Sequence, residues 1–350
     1  MASLVLTLKE TLRYRGAIGQ WSWVLHRLTG LGVVLFLFLH VIDTAWAVFA
    51  PESYVEAIAT YQSPLFTIGE FFLVACVVYH ALNGLRIVMM DFRPDLWKHQ
   101  QQAAYYVLGG TVLILIPFFA KMGLDAANHY TSDPFVLPIS EVILAQLPFL
   151  GFFVIGAIAA VVIAFIQNSM ADGGAGAVQI GGTGSSIEKF WWSFMRVSGI
   201  LIVPLVFGHL AMMHVLQGVF DLTASNYTII GTSTGSLAAV GDVLGNGIND
   251  SGTSVEFVAE RWGFLWGGVA IWKVYDIALL ALVVTHGFNG LRYILTDYTM
   301  DNPLLRRTVT NLCLIGGLAL LLVGAAALFS SIDQDAIDLA IEATRAMTGE

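Results

Sequence analysis

The stretch from His80 to Phe92, HALNGLRIVMMDF, returns as HGFNGLRYILTDY from His286 to Tyr298. Six positions are identical: His80/His286, Asn83/Asn289, Gly84/Gly290, Leu85/Leu291, Arg86/Arg292 and Asp91/Asp297. An internal repeat constrains a fold more than a single motif does, because each copy is expected to build the same supersecondary unit. A second pair repeats with it. Arg27-Leu-Thr-Gly30 leads to His40, and Arg196-Val-Ser-Gly199 leads to His209, both offset by 169 residues. The later motif is offset by 206, so 37 residues separate the two motifs further in the second copy. Four histidines therefore occupy repeat-equivalent positions, each inside an apolar run.

Those runs set the expected fold class. Apolar segments of about 20 residues are read as membrane spans. A chain that is 57% hydrophobic and 12% charged, with mean hydropathy +0.76, is not composed like a soluble protein. Seven transmembrane helices are expected, roughly over 22–49, 65–92, 103–124, 141–167, 190–219, 268–298 and 308–331, with Pro51, Pro64, Pro94, Pro134 and Pro303 in the breaks. Backbone polar groups in lipid must be satisfied within the segment, which favours helices. The expected fold is an all-α membrane protein, a bundle of about seven transmembrane helices made of two three-helix repeats joined by an extra span. Residues 1–130 form the first unit, 131–188 the linking helix and a linker, and 189–350 the second unit with an external loop at 220–262. The fourth span has no histidine and no counterpart in the repeat, and lets the second unit begin on the same side as the first. The Gly-rich linker Ala171–Ser186 is flexible by composition. Segment 220–262, rich in Gly, Ser, Thr and Asn, reads as a lid or contact loop without assignable chemistry.

The net charge of −9 comes mostly from loops and the C-terminal tail and does not suggest nucleic-acid binding. Lys9, Arg13, Arg15, Arg27, Arg93, Lys98, Lys189, Arg306 and Arg307 fall on one side of a seven-span topology. The opposite segments 50–64 and 125–141 contain no Lys or Arg, and 220–262 contains only Arg261. The excess of basic residues places the N-terminus in the cytoplasm and the C-terminus outside. The N-terminus lacks the short apolar core and cleavage site of a secretory signal, so none is expected. Cys76 and Cys313 lie in apolar runs, and two cysteines cannot supply the four ligands of an iron–sulfur cluster. Any such cluster belongs to a partner.

An ionisable side chain inside a span marks a functional site by default. A single intramembrane histidine is often only a hydrogen-bonded packing residue, and four at equivalent positions shift that balance. His80 and His286 each precede an aspartate by 11 residues, roughly 16 Å along a helix. His40 and His209, each 13 residues after an arginine, lie deeper toward the outer side. Equal depth within each pair is what bis-histidine haem ligation in a bundle core needs. Zinc would want four clustered ligands, and a di-iron carboxylate site would want Glu-x-x-His motifs, which are absent. A proton relay built from the same residues remains open. Gly84 and Gly290 would admit a macrocycle or simply a packed helix. Arg27, Arg86, Arg196 and Arg292 could pair with haem propionates or snorkel to the interface. His214 could replace His209 as a ligand.

The stretches LHRLTG (Leu25–Gly30) and YHALNGLRIVMMDF (Tyr79–Phe92) resemble the large cytochrome b anchor subunit of succinate dehydrogenase. FMRVSG (Phe194–Gly199) and THGFNGLRYILTDY (Thr285–Tyr298) resemble the small anchor subunit of the same complex, so the chain looks like a fused pair of anchors. The resemblance covers both halves, but not the fourth span or 220–262. It implies two b-type haems, with His80 and His286 as axial iron ligands nearer the cytoplasm and His40 and His209 as the second pair. It also implies a quinone, expected to be menaquinone, at the cytoplasmic end beside Ser22, His26, Arg27, Asp297 and Tyr298, with Trp21 and Trp23 as possible walls. The family often has a Ser three residues before its His-Arg pair; here Trp23 stands there, with Ser22 adjacent. FAD and iron–sulfur clusters would sit only on a flavoprotein and an iron–sulfur partner subunit. This chain, itself without succinate-oxidising chemistry, would be the non-flavin anchor in a bacterial plasma membrane, passing electrons to quinone. Two other readings remain: the di-haem anchor of another quinone-linked dehydrogenase, such as a hydrogenase or formate dehydrogenase, and a transporter or proton channel without haem.

Overall fold

The computed structural model describes residues 17–132, 134–172, 186–232 and 247–349. Lys9, Arg13 and Arg15, most of the Gly-rich linker and residues 233–246 of the external segment lie outside the described residues. Seven helical stretches among the described residues are long and apolar enough to cross a membrane. The helices are α1 (Ile18–Phe49), α2 (Pro51–Tyr61), α3 (Pro64–Phe92), α4 (Gln100–Thr131), α5 (Ile139–Leu144), α6 (Leu147–Asp172), α7 (Ser186–Ala211), α8 (Ser254–Gly263), α9 (Ile271–Asp297), α10 (Pro303–Phe329) and α11 (Gln334–Thr348). The spans are α1, α3, α4 with the 3-10 turn before it, α5 running into α6, α7 with the turn after it, α9 and α10.

Local chemistry sets the boundaries. Pro51, Pro64 and Pro303 stand in the first turns of α2, α3 and α10, where a missing N–H costs nothing. Asn302 caps α10 through Leu305 N at 3.0 Å, and Asp333 caps α11 through Ala336 N at 3.0 Å. Gly349, at φ +79°, closes α11 in the left-handed conformation that favours glycine.

Four spans form a ring. α1 packs on α3 and on α9, and α7 packs on α9 and on α3, which leaves a space between the diagonal pairs. These are the first two helices of each expected unit. The third helices are placed unequally: α4 lies against α3 and α1, whereas α10 lies against α9 and crosses to α1. The odd span α6 packs on α10, with Arg307 Nη1 donating to Asn168 Oδ1 at 3.1 Å and Asn311 Nδ2 to Gln167 Oε1 at 3.1 Å. Its remaining surface, including Phe153, Ile155 and Phe165, is exposed apolar side chain of the kind a lipid-facing helix presents.

The segment 220–262 is more than the loop its composition suggests. A 3-10 turn (Val219–Thr223), paired strands β1 (Tyr227–Thr228) and β2 (Ile248–Asn249), and α8 join α2 and α11 in a packed cap. Its core holds Tyr54, Ile58, Leu222, Ile229, Phe257, Trp262 and Ala340. Val255, Val258 and Trp262 make one apolar stripe at helical spacing. The surrounding Gly, Ser and Thr dilute that stripe in any average over the segment. The C-terminal tail likewise becomes the amphipathic helix α11, which buries Ala336 and Ala340, one turn apart. His129 lies in the last turn of α4 and stacks on Phe220 with ring centroids 4.0 Å apart.

Phe257 is 2% exposed, and emptying such a site leaves a cavity as well as losing burial. Phe257→Ala should lower the unfolding free energy of the cap by about 3–5 kcal/mol, read as earlier denaturation and faster proteolysis within 254–263. Unchanged resistance to both would mean that α8 is not packed as described.

Candidate functional site

The ring encloses a cavity of about 1070 Å³, lined by side chains of α1, α3, α7 and α9. Ligand sites commonly span about 300–1,000 Å³. Among its walls are His26, Arg27, His80, Arg196, His286 and Asp297. The two histidines of the longer repeat therefore face one space from α3 and α9.

Each of these imidazoles is tied through Nδ1. His80 Nδ1–H donates to the carbonyl of His26 at 3.0 Å. Ser198 Oγ donates to the Phe194 carbonyl at 2.6 Å, so its oxygen accepts from His286 Nδ1–H at 2.9 Å. Nδ1 carrying the proton leaves Nε2 of both rings with its lone pair, the form in which histidine binds a metal. Gly30 and Gly199, equivalent in the shorter repeat, admit the two rings. A Cβ at Gly30 would meet His80 Cε1 at 2.8 Å, and one at Gly199 would meet His286 Cε1 at 3.5 Å. These features fit a bis-imidazole haem: paired rings of fixed tautomer, free Nε2 atoms and a shared cavity between helices. His26 stacks on His80, with centroids 4.0 Å apart and planes 8° from parallel. Gly84 faces His26, and Gly290 faces the repeat-equivalent Met195, each at 3.6 Å from a would-be Cβ.

The four arginines divide into two kinds. Arg27 of α1 pairs with Asp297 of α9 and lies over the Trp23 ring at 4.0 Å. Arg196 of α7 pairs with Asp91 of α3 through Nε at 3.0 Å and Nη2 at 2.8 Å, and lies over Trp192 at 4.1 Å. Each ion pair thus crosses from one copy of the repeat to the other, and both arginines line the cavity. Arg86 and Arg292 instead bond within their helices, to Asn83 Oδ1 at 3.1 Å and to Asn289 Oδ1 at 3.1 and 2.9 Å. Neither is among the residues lining the cavity. Arg86 is buried and also donates to Ser22 Oγ at 3.1 Å and to the Gln100 carbonyl at 3.2 Å.

That network holds Ser22 away from the cavity. Its hydroxyl donates to Asn83 Oδ1 at 2.7 Å and lies 3.0 Å from the Tyr79 hydroxyl. Of the five residues expected around a quinone, His26, Arg27 and Asp297 meet at the cavity's polar end. Tyr298 caps α9 next to Asp297 and is 43% exposed, outside the lining. Trp23 is a wall and Trp21 is not.

His40 and His209 meet on the side of the bundle toward the cap, their ring centroids 6.0 Å apart and planes at 71°. His209 Nδ1 is buried without a hydrogen-bond partner among the described residues. His214, one π-helical turn on, is held by Glu70, with Nδ1 and Oε1 3.0 Å apart. His209 is thus the ring that faces His40. The orphaned His209 Nδ1 and the facing His40 ring fit a second axial pair.

Residues 8–119 match the family of succinate dehydrogenase/fumarate reductase transmembrane subunits. The succinate dehydrogenase 2 membrane subunit SdhC of Mycobacterium tuberculosis is 36% identical over 117 residues, covering 33% of this chain and 86% of that protein. The succinate dehydrogenase hydrophobic membrane anchor subunit of Halobacterium salinarum is 29% identical over 106 residues, covering 29% of this chain and 80% of that protein. No solved structure matches this chain. The family match contains His26, Arg27, His40, His80, Arg86 and Asp91, and the second copy of the repeat lies beyond it.

Side chains in contact show interaction energies of roughly 0.5–3 kcal/mol in double-mutant cycles, and a partly buried, two-contact Arg–carboxylate bond belongs in the upper part of that range. A cycle through Asp91→Ala, Arg196→Ala and the double variant should give favourable coupling of about 1–3 kcal/mol in chemical denaturation. Additive single effects would show that the crossed pair is not formed.

Proposed function

We propose, because this chain belongs to the succinate dehydrogenase/fumarate reductase transmembrane-subunit family, that its four-helix ring is the haem- and quinone-binding anchor of such a complex. The carrying observation is the cavity into which His80 and His286 project, each tied through Nδ1 with Nε2 left free. His80 and His286 would hold the inner haem iron, and His40 and His209 the outer one. A bis-imidazole haem supplies reversible one-electron redox chemistry at each layer. Arg27 and Arg196, at the cavity's polar end, would meet propionates of the inner haem. Arg86, bonded to Ser22 of α1 and to the Gln100 carbonyl, would hold α3 in position, while Arg292 bonds to Asn289 within α9.

The quinone would enter at the same polar end, beside His26, Arg27 and Asp297, with Tyr298 just outside the mouth. Reducing a quinone to a quinol takes two electrons and two protons. Arg27, held by Asp297 and backed by Trp23, would stabilise the carbonyl oxygen as it gains negative charge. His26 and Tyr298 carry groups able to pass protons to that oxygen. Asp297 keeps the guanidinium aimed at the mouth. The electrons would come from an iron–sulfur subunit docked on this face, fed by a flavoprotein that oxidises succinate. The basic loops favour this as the cytoplasmic face, with the N-terminus inside and the chain in a bacterial plasma membrane. Menaquinone is the expected quinone.

His80→Ala should abolish the inner haem and leave the outer one, seen as a fall from two haems to one per complex by pyridine haemochrome. A purified complex that holds no haem, or a His80→Ala protein with its full complement, would overturn this assignment. Gly30→Ala should act in the same direction by pushing on His80, whereas Gly199→Ala, with 3.5 Å to spare, should be mild.

A fixed donor at a developing oxyanion is worth about 3–4 kcal/mol, so Arg27→Leu should slow succinate-dependent quinone reduction by a factor on the order of one hundred. Tyr298→Phe should slow it in the same direction. Transfer from succinate to a soluble dye that accepts electrons at the flavin should persist in both. Normal quinone reductase rates in both variants would place the quinone elsewhere.

A further inference from the structure

We propose that Arg261, carried by the cap helix α8, binds a carboxylate at the outer histidine layer, and that this carboxylate is a propionate of the haem held by His40 and His209. The proposal rests on the two-haem reading above. Segment 220–262 had no chemistry assigned to it from sequence, and Arg261 is its one basic residue.

Arg261 is 6% exposed. A guanidinium keeps its charge under all ordinary conditions, and an enclosed charge without a counter-charge is costly. Burial presses against that charge and lowers the arginine's pKa, with Asp276 opposing. Yet Arg261 makes no salt bridge among the described residues, and its Nη1 is buried without a hydrogen-bond partner among them. The neighbouring carboxylate, Asp276, accepts from Trp262 Nε1 at 3.0 Å instead. The four arginines of the repeats differ: two have an aspartate and two have an asparagine. An arginine with an idle nitrogen in an enclosed site, its neighbouring carboxylate Asp276 bonded to Trp262 instead, has a hydrogen bond to offer a second anion.

Its surroundings say where that anion sits. The guanidinium lies over the Trp272 ring at 4.2 Å, which fixes its plane and leaves its edge to bond. Trp272 in turn meets the Tyr275 ring edge-on, with ring centroids 6.0 Å apart. The Tyr275 hydroxyl donates to the Leu205 carbonyl, joining α9 to α7 one turn before His209. Gly208 makes room for that contact, since a Cβ there would meet the Tyr275 hydroxyl oxygen at 2.9 Å. Arg261, Trp272 and His209 are thus brought together by the cap, α9 and α7. The planar fork of arginine matches a carboxylate through two parallel bonds, and a b-type haem between His40 and His209 brings two carboxylates with it. The inner layer already has Arg27 and Arg196 at its cavity; Arg261 would be the cation of the outer layer.

The test uses the purified complex with its partner subunits, comparing the unsubstituted protein with Arg261→Gln and Arg261→Lys. Haem is counted by pyridine haemochrome, and the two haems are titrated separately by visible absorbance. A His209→Ala complex identifies the outer signal. A positive charge near iron favours the reduced state, so Arg261→Gln should lower the midpoint potential of the outer haem, or release that haem, without moving the inner one. Arg261→Lys keeps the charge but loses the fork, so it should shift the outer haem less. An outer haem retained at unchanged potential in Arg261→Gln would overturn the proposal. If Arg261→Gln does not accumulate, Arg261→Lys decides: a shifted outer signal supports the proposal, and an unshifted one overturns it. A single haem in the unsubstituted complex would instead sink the two-layer reading, before any variant is compared.

Discussion

A polar side chain inside a bilayer has no water to turn to, so it must be answered by another part of the same protein. That constraint organises the ring. His80 is answered by the His26 carbonyl, His286 by Ser198, Arg27 by Asp297, Arg196 by Asp91, and Arg86 by Ser22 and Asn83. Nearly every one of these bonds joins two helices. Between them they tie α1 to α3, α7 to α9, α1 to α9 and α3 to α7, the same four contacts that close the ring. The cavity is therefore framed by its polar groups as much as by its apolar walls, and the groups that hold the helices together line the space where a ligand would sit.

The repeat makes the departures from symmetry informative. At the cavity's polar end Trp23, Arg27 and Asp297 have equivalents in Trp192, Arg196 and Asp91, and both arginines stack and pair alike. The neighbouring positions do not match. His26 corresponds to Met195, Tyr298 to Phe92 and Ser22 to Trp191. Every residue lost in one copy is one able to carry a proton, while the charge pair is kept in both. Charge pairing serves the ring whichever side it is on. Of these three, only His26 lines the cavity beside Arg27; Ser22 turns to Tyr79 and Asn83, and Tyr298 lies outside the lining.

Much of this was legible in the sequence because a repeat with ionisable residues in apolar runs leaves little freedom. The spans, the histidines as pairs, and the membership of Arg27 and Asp297 in one end of the bundle all follow from spacing and hydropathy. Equivalence is not contact, however. Nothing in the offsets says that Arg27 meets Asp297 of the other copy rather than Asp91 of its own, because that depends on how the two units turn toward each other. Nor does spacing distinguish Arg27 and Arg196, which face the cavity, from Arg86 and Arg292, which reach back one turn to an asparagine. Ser22 was expected at the quinone because it adjoins the position, three residues before His26, where the resembling family often has a serine. One helical step turns it instead toward Tyr79 and Asn83. The cap escaped for a different reason: α8 and α11 are short and amphipathic, and their apolar stripes disappear in a composition dominated by Gly, Ser, Asp and Glu.

Helices in lipid gain little from the hydrophobic effect against one another, so close packing between them relies on small residues and dispersion. The second half shows this on one flank of the ring. Phe288 of α9 sits against Gly316 and Gly317 of α10, where added Cβ atoms would come within 2.9 and 3.1 Å of the ring. Gly324 receives Leu280 of α9 and Val41 of α1, and Gly287 receives Val34 of α1 at 3.1 Å. α1, α9 and α10 therefore pack closely, through glycines that a larger side chain would push apart. Val33, Val34 and Leu37 on α1 and Val283, Gly287 and Gly290 on α9 line the cavity from that flank. His286 belongs to this closely packed wall, and Gly30 and His26 also line the cavity. The glycine-packed flank thus positions one wall of the cavity without placing a further polar group in the membrane.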